Sequence, residues 1–133
     1  MEVRILLDTN PYSDLARGVA EVVARVRTAS EVWLPLFALG ELRAGFVGGT
    51  RRKRNETALQ SFLARPNVGV LLPNEATADV YAQVFNALRR QGTPIPANDI
   101  WIAALAIQHD LTLDARDQHF QYVPGLKLVA AQP

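Results

Sequence analysis

The segment Pro94-Ile95-Pro96-Ala97-Asn98-Asp99-Ile100-Trp101-Ile102-Ala103-Ala104-Leu105-Ala106-Ile107 constrains this chain more than any other. Proline has no N–H and cannot continue a helix interior, whereas the uninterrupted apolar run beyond Asp99 is rich in helix formers. A helix is therefore expected to begin near Ala97. A helix with no polar face is buried all round. In a chain of 133 residues it lies at the middle of the domain, with the other elements packed around it. Asp99 falls in its first turn, where the macrodipole favours an anion and where the chain emerges from the interior. A first-turn Asp is also an ordinary helix-start residue, so this position acquires meaning only if other residues match it.

A hydrophobic content of 49% in this length predicts one domain over residues 1–133, able to bury roughly two-thirds of the surface its unfolded form exposes. The formal net charge of +1 does not by itself indicate a polyanion partner, so any nucleic-acid reading rests on where the charges lie. There is no cysteine, which excludes disulfides, thiolate zinc sites and cysteine nucleophiles and fits a reducing compartment. Glu2 and Arg4 interrupt a short apolar N-terminal run, so a signal-peptide core is lacking. No segment is long enough to span a bilayer. A cytoplasmic protein without a membrane partner is expected.

Val3, Ile5, Leu6 and Leu7 read as a buried strand that stops at Asp8-Thr9-Asn10-Pro11, a polar turn that could also cap a short helix. Val19, Val22, Val23 and Val26 recur at helical spacing, with Glu21, Arg25 and Arg27 on the other face. Val32, Trp33 and Leu34 make a second strand closed by Pro35. Leu36, Leu39, Leu42 and Phe46 then carry a helix through Glu41 to Gly48-Gly49. A dense basic run, Thr50-Arg51-Arg52-Lys53-Arg54, reads as a loop before a helix marked by Leu59, Phe62 and Leu63. Val68 to Leu72 is a third strand. Pro73-Asn74 opens a long helix with the stripe Val80, Tyr81, Val84, Phe85 and Leu88, closed by Gly92. After the central helix come a strand at Leu111 to Leu113, an acidic turn at Asp114 and Asp117, and a last strand near Leu126 to Val129.

Short apolar strands alternating with helices predict an α/β domain with a largely parallel sheet covered on both faces. In such sheets ligands bind beyond the carboxyl ends of the strands. Asp8, Asp114 and Asp117 each follow a strand, Glu41 lies about a helical turn past the second, and Asp99 opens the central helix. If Asp8, Glu41, Asp99 and Asp117 converge, they cannot all stay ionised at close range without a cation. All-oxygen ligands select a hard ion, so Mg²⁺ or Mn²⁺ is the expected partner, and a zinc site of the usual kind is not available. Such a site can orient a water, help generate hydroxide and stabilise the leaving oxygen of a phosphodiester.

Four segments carry a family resemblance: Ile5-Leu6-Leu7-Asp8-Thr9-Asn10, Leu39-Gly40-Glu41-Leu42-Arg43-Ala44-Gly45, Ile95 to Ala104 around Asn98-Asp99, and Ala115-Arg116-Asp117-Gln118-His119-Phe120. In order and spacing they resemble the signature segments of PIN-domain ribonucleases, specifically the VapC toxins of bacterial toxin–antitoxin pairs. The resemblance covers essentially the whole chain. It implies a PIN-like three-layer α/β/α sandwich with a short, mainly parallel sheet, and a metal-dependent endoribonuclease. It also implies that Asp8, Glu41, Asp99 and Asp117 are the catalytic acids, that Asp8, Asp99 and Asp117 hold Mg²⁺, and that Thr9, Asn10 and Asn98 are supporting polar groups. The implied partners are an RNA substrate, a VapB-type antitoxin and a second copy in a homodimer. One departure stands out: the family often has Ser or Thr two residues before the fourth acid, and here that residue is Ala115. Asp114 is the expected substitute.

The rim of acids repels RNA, so Arg51, Arg52, Lys53 and Arg54 are the expected phosphate contacts, weighed against an ordinary solvated face. His109 and His119 read as structural, and Trp33, Trp101 and Phe120 as core. A haloacid-dehalogenase-like phosphatase needs an acid where Asn10 stands, and a receiver domain needs one where Leu72-Pro73-Asn74 stands. The remaining rival is a PIN fold that binds RNA or protein without cutting.

Overall fold

The computed structural model describes residues 2–130. Four strands, β1 (Arg4–Leu7), β2 (Glu31–Pro35), β3 (Val68–Leu71) and β4 (Thr112–Asp114), form one sheet in the order β3-β2-β1-β4, every pair parallel. Six α-helices connect them: α1 (Thr9–Ala16), α2 (Ala20–Thr28), α3 (Leu36–Gly48), α4 (Arg52–Leu63), α5 (Glu75–Gln91) and α6 (Ala97–Gln108). A 3-10 helix, Gln118–Tyr122, follows β4.

The strands read as continuous apolar runs because both faces are covered, and their alternation sorts side chains between two cores. Ile5, Leu7, Val32 and Leu34 join α1, α2, α3 and α4 in one cluster, while Leu6, Trp33 and Leu113 face α5, α6 and the 3-10 helix in the other. The result is the expected three-layer PIN-like α/β/α arrangement. Helix α6 begins at Ala97, and Ile100 and Ile102 through Ala106 are buried. Burial of Ile102 and Leu105 alone contributes about 1.5–3 kcal/mol each. At Gly69 a Cβ would come within 2.8 Å of the Trp33 ring, so only glycine lets β3 lie against that indole.

Two expectations are corrected. The basic run is not a loop: Arg52, Lys53 and Arg54 form the first turn of α4, whose N-cap Arg51 supplies no side-chain cap. The segment from Leu126 to Val129 is not a strand but a single bridge, Leu113 to Leu128. β4 has three residues, and Thr112 and Asp114 turn toward β1. Only Leu113 is left to donate to Lys127 O and accept from Val129 N. Among the described residues, no helix is long and apolar enough to cross a membrane.

Candidate active site

The order β3-β2-β1-β4 reverses direction between β1 and β4, which makes the carboxyl ends of those strands the crevice of the sheet. Asp8 is the first residue past β1 and the N-cap of α1. Asp117 lies just past β4 as the N-cap of the 3-10 helix, its Oδ1 accepting from the His119 N–H at 2.9 Å. Helix α6 runs back against the sheet, so its first turn, with Asn98 and Asp99, opens onto the same edge. Glu41 comes from α3, which leaves directly from β2.

These four carboxylates meet. Burial raises the pKa of Asp8 from 3.8 to about 6, and the charges of Glu41, Asp99 and Asp117 push the same way against the Thr9 N–H. Burial also raises Asp99, with Asp117 and Glu41 adding to the effect and the His119 hydrogen bond opposing it. Glu41 is exposed, yet both its oxygens are held: Thr9 Oγ1 donates to Oε2 at 3.2 Å, and Asn98 Nδ2 donates to Oε1. Thr9 and Asn98 thus touch the acids, whereas none of the described hydrogen bonds joins the exposed Asn10 side chain to them.

Asp114 departs from its expected place. Alternation along β4 sends Leu113 toward α6 and Asp114 to the opposite face, where Arg25 of α2 binds its carboxylate through Nε at 2.9 Å and Nη2 at 3.3 Å. It is buried, paired and turned away from the other acids, so it does not substitute for the missing hydroxyl at Ala115.

His119, read from sequence as structural, belongs to the acidic crevice. Its Nδ1 lies 3.1 Å from Asp99 Oδ2 and 2.9 Å from Asp117 Oδ1. The available signal was its position two residues past the fourth acid and next to Phe120, whose 1% exposure anchors the segment. Ligand atoms of Asp99, Asp117 and His119 lie within 4.8 Å of one another. Among the described residues no Lys or Arg forms an ion pair with Asp8, Glu41, Asp99 or Asp117. A crowded set of carboxylate oxygens with one imidazole and no paired Lys or Arg among the described residues is a donor set that fits a divalent metal ion. Trp33 and Trp101 are half-buried, Phe120 is buried, and Trp101 stacks on Tyr81 at 4.1 Å.

The chain is 29% identical over 127 residues to ribonuclease VapC1 of Haemophilus influenzae (strain R2866), covering 92% of this chain and 93% of that protein. It is 34% identical over 121 residues to toxin FitB of Neisseria gonorrhoeae, covering 85% and 87%. The solved structure of VapBC-1 from nontypeable Haemophilus influenzae matches with a TM-score of 0.82 at 27% identity, over 96% of this chain and 97% of that one. The model of the PIN domain family matches residues 5–126, from the first strand to beyond the fourth acid, and this chain belongs to that family.

Proposed function

We propose that this chain is a metal-dependent endoribonuclease that hydrolyses RNA phosphodiester bonds and acts in the cytoplasm as the toxin of a VapBC-type pair. The observation that carries the reading is the convergence of Asp8, Glu41, Asp99 and Asp117 with no Lys or Arg paired to them among the described residues, His119 being the one basic side chain that meets two of them. The names of the relatives, ribonuclease VapC1 and toxin FitB, point the same way.

Asp99 and Asp117, with the His119 ring at the same corner, would hold Mg²⁺, or Mn²⁺ in its place, and Asp8, whose carboxyl feels the charges of both, would be the third acid. When bound, the ion supplies charge neutralisation at the scissile phosphate and a water activated for attack. Glu41 stands at the exposed mouth with its oxygens oriented by Thr9 and Asn98, and would serve there to take up a proton. Because the acids repel a polyanion, RNA needs a cationic rim. Arg51, Arg52, Lys53 and Arg54 are exposed, and among the described residues none of them forms an ion pair.

The partner is a small VapB-type antitoxin, consistent with the VapBC-1 complex among the structural relatives. An uncompensated carboxylate pocket is a ready target for an Arg supplied by such a partner. The resemblance to the family implies a homodimer, and the apolar Leu36, Leu72 and Phe85, 41%, 59% and 42% exposed, are available to such a contact. The test is cleavage of labelled RNA by the purified chain, freed of partner. Cleavage should require Mg²⁺ or Mn²⁺, stop in EDTA and be poorly supported by Ca²⁺, whose longer bonds and looser geometry misplace the water. Full activity in EDTA would sink the metal mechanism. RNA binding without cleavage in any of these ions would leave a non-cutting PIN module.

A further inference from the structure

Asp117 is an exposed acid on the short segment Ala115–Asp117, which has no regular structure, and the residue two before it is an alanine, whose methyl packs on the second core cluster but offers no hydrogen bond. The residues on either side of Ala115 do the holding. Asp114, 4% exposed, is bound by Arg25, and Arg116 Nη1 lies 3.4 Å from Asp14 Oδ2. Asp14, 7% exposed on α1, is paired with Arg17 as well. A third tie runs through the backbone, where the Asp8 N–H donates to the Asp114 carbonyl at 3.0 Å. All three ties lead to one place: α1, which begins immediately after Asp8, and α2, which packs on it.

We infer that the ion pairs Arg116–Asp14 and Arg25–Asp114 are a positioning brace that fixes Asp117 in relation to Asp8, replacing the hydroxyl absent at Ala115. The inference rests on the reading of the acids as a metal centre and names residues outside it. Asp14, Arg25, Asp114 and Arg116 touch neither substrate nor metal; they act through the segment they hold. Arg116 is the exposed partner, and without it the buried Asp14 keeps its pairing with Arg17, so the effect of removing Arg116 is sought in the metal and not in the melting temperature.

The sign of the effect separates the brace from simple electrostatics. If Arg116 were only a cation near an anionic crevice, Arg116→Gln would strengthen divalent binding by removing a repulsion. If it positions Asp117, the same substitution weakens binding, by about 10-fold on the scale of outer partners of metal ligands. The experiment is titration of the full chain with Mn²⁺, followed by calorimetry and by electron paramagnetic resonance of the free ion. The proteins are the parent, Arg116→Gln, Arg116→Lys, Asp117→Asn and the double variant Arg116→Gln/Asp117→Asn. Arg116→Gln should lose affinity and Arg116→Lys recover most of it. In the Asp117→Asn background Arg116→Gln should have no further effect, because there is no acid left to position. Tighter or unchanged Mn²⁺ binding by Arg116→Gln overturns the brace, as does an equal loss in both backgrounds. A parent chain that binds no Mn²⁺ overturns the metal reading and the brace with it.

Discussion

Asp8 and Asp114 stand side by side at the ends of the two strands that frame the crevice, and their surroundings are opposite. Leu7 is in register with Asp114, and the Asp8 N–H donates to the Asp114 carbonyl. Yet the Asp114 side chain turns toward α2 and meets Arg25, whereas Asp8 faces Glu41, Asp99 and Asp117. The first carboxylate has its counter-charge built into the chain. Asp8 is surrounded by its own kind, and burial first, with those charges adding to it, raises its pKa to about 6. Residue type and position after a strand do not distinguish an acid paired within the fold from one proposed to bind a metal. What distinguishes them is whether the fold supplies the cation or leaves it to come from outside.

The largest effect that tests this contrast is on chemistry. Asp99→Asn is nearly isosteric and removes a charge from the unbalanced side, so RNA cleavage should fall by about 100-fold or more, several kcal/mol of transition-state stabilisation. The metal-free fold should be no less stable. Unchanged cleavage by the purified variant would take Asp99 out of the catalytic set.

The next effect is on stability, and its sign should reverse between the two aspartates. Asp8 has a folded pKa of about 6 against 3.8 unfolded, so between these values the native chain holds a proton that the unfolded chain has released. Stability of the metal-free protein therefore falls as pH rises through that window and returns on acidification, by up to about 3 kcal/mol. Asp99, also raised, contributes in the same direction. Asp8→Asn should flatten this dependence and stabilise the protein at pH ~7 in EDTA. Asp114→Asn should instead cost about 2 kcal/mol, the scale of hydrogen bonds to a charged group. Urea denaturation of both variants at about pH 5 and 7 decides the matter, since the same sign at both positions would erase the distinction.

The smallest effect concerns the cations that should complement the unbalanced side. Each contact to a single-stranded phosphate adds about 0.7 to the slope of log affinity against log salt. Replacing Arg51, Arg52 and Arg54 by Gln should flatten that slope by up to roughly 2, with cleavage preference unchanged. A salt series with a cleavage-dead variant measures it, and an unaltered slope makes the run an ordinary solvated face.

Much of this architecture was legible because strong local signals agreed with the tertiary ones. The prolines before Ala97 and the apolar run behind Asp99 placed α6 correctly, since nothing in the fold competes with them. Asn74 and Gly92 likewise bound α5, with a capping box at one end and a left-handed residue, φ 75°, at the other. The start of α4 was hidden because four basic residues oppose the helix dipole and Arg51 offers no cap. The orientation of Asp114 depended on where β4 begins, because a one-residue change in phase moves a side chain to the other face of a sheet. His119 was obscured by its type, since an isolated histidine carries no pattern until a fold brings acids to it.

The placement of β4 beside β1 has a consequence for the timing of assembly. The first core cluster is drawn from residues up to Val70, so the amino-terminal elements can associate while the chain is still lengthening. The last sheet pairing joins the first strand to the fourth, and it closes the longest loop of any pairing in the sheet, which makes it the entropically costliest. Asp99 and Asp117 are translated late, and Asp117 reaches Asp8 only when β4 docks. A chain emerging from the ribosome therefore carries Asp8 and Glu41 without the acids that complete the set. If RNA is the substrate as proposed, the unfinished polypeptide is expected to be inert toward the machinery that is making it.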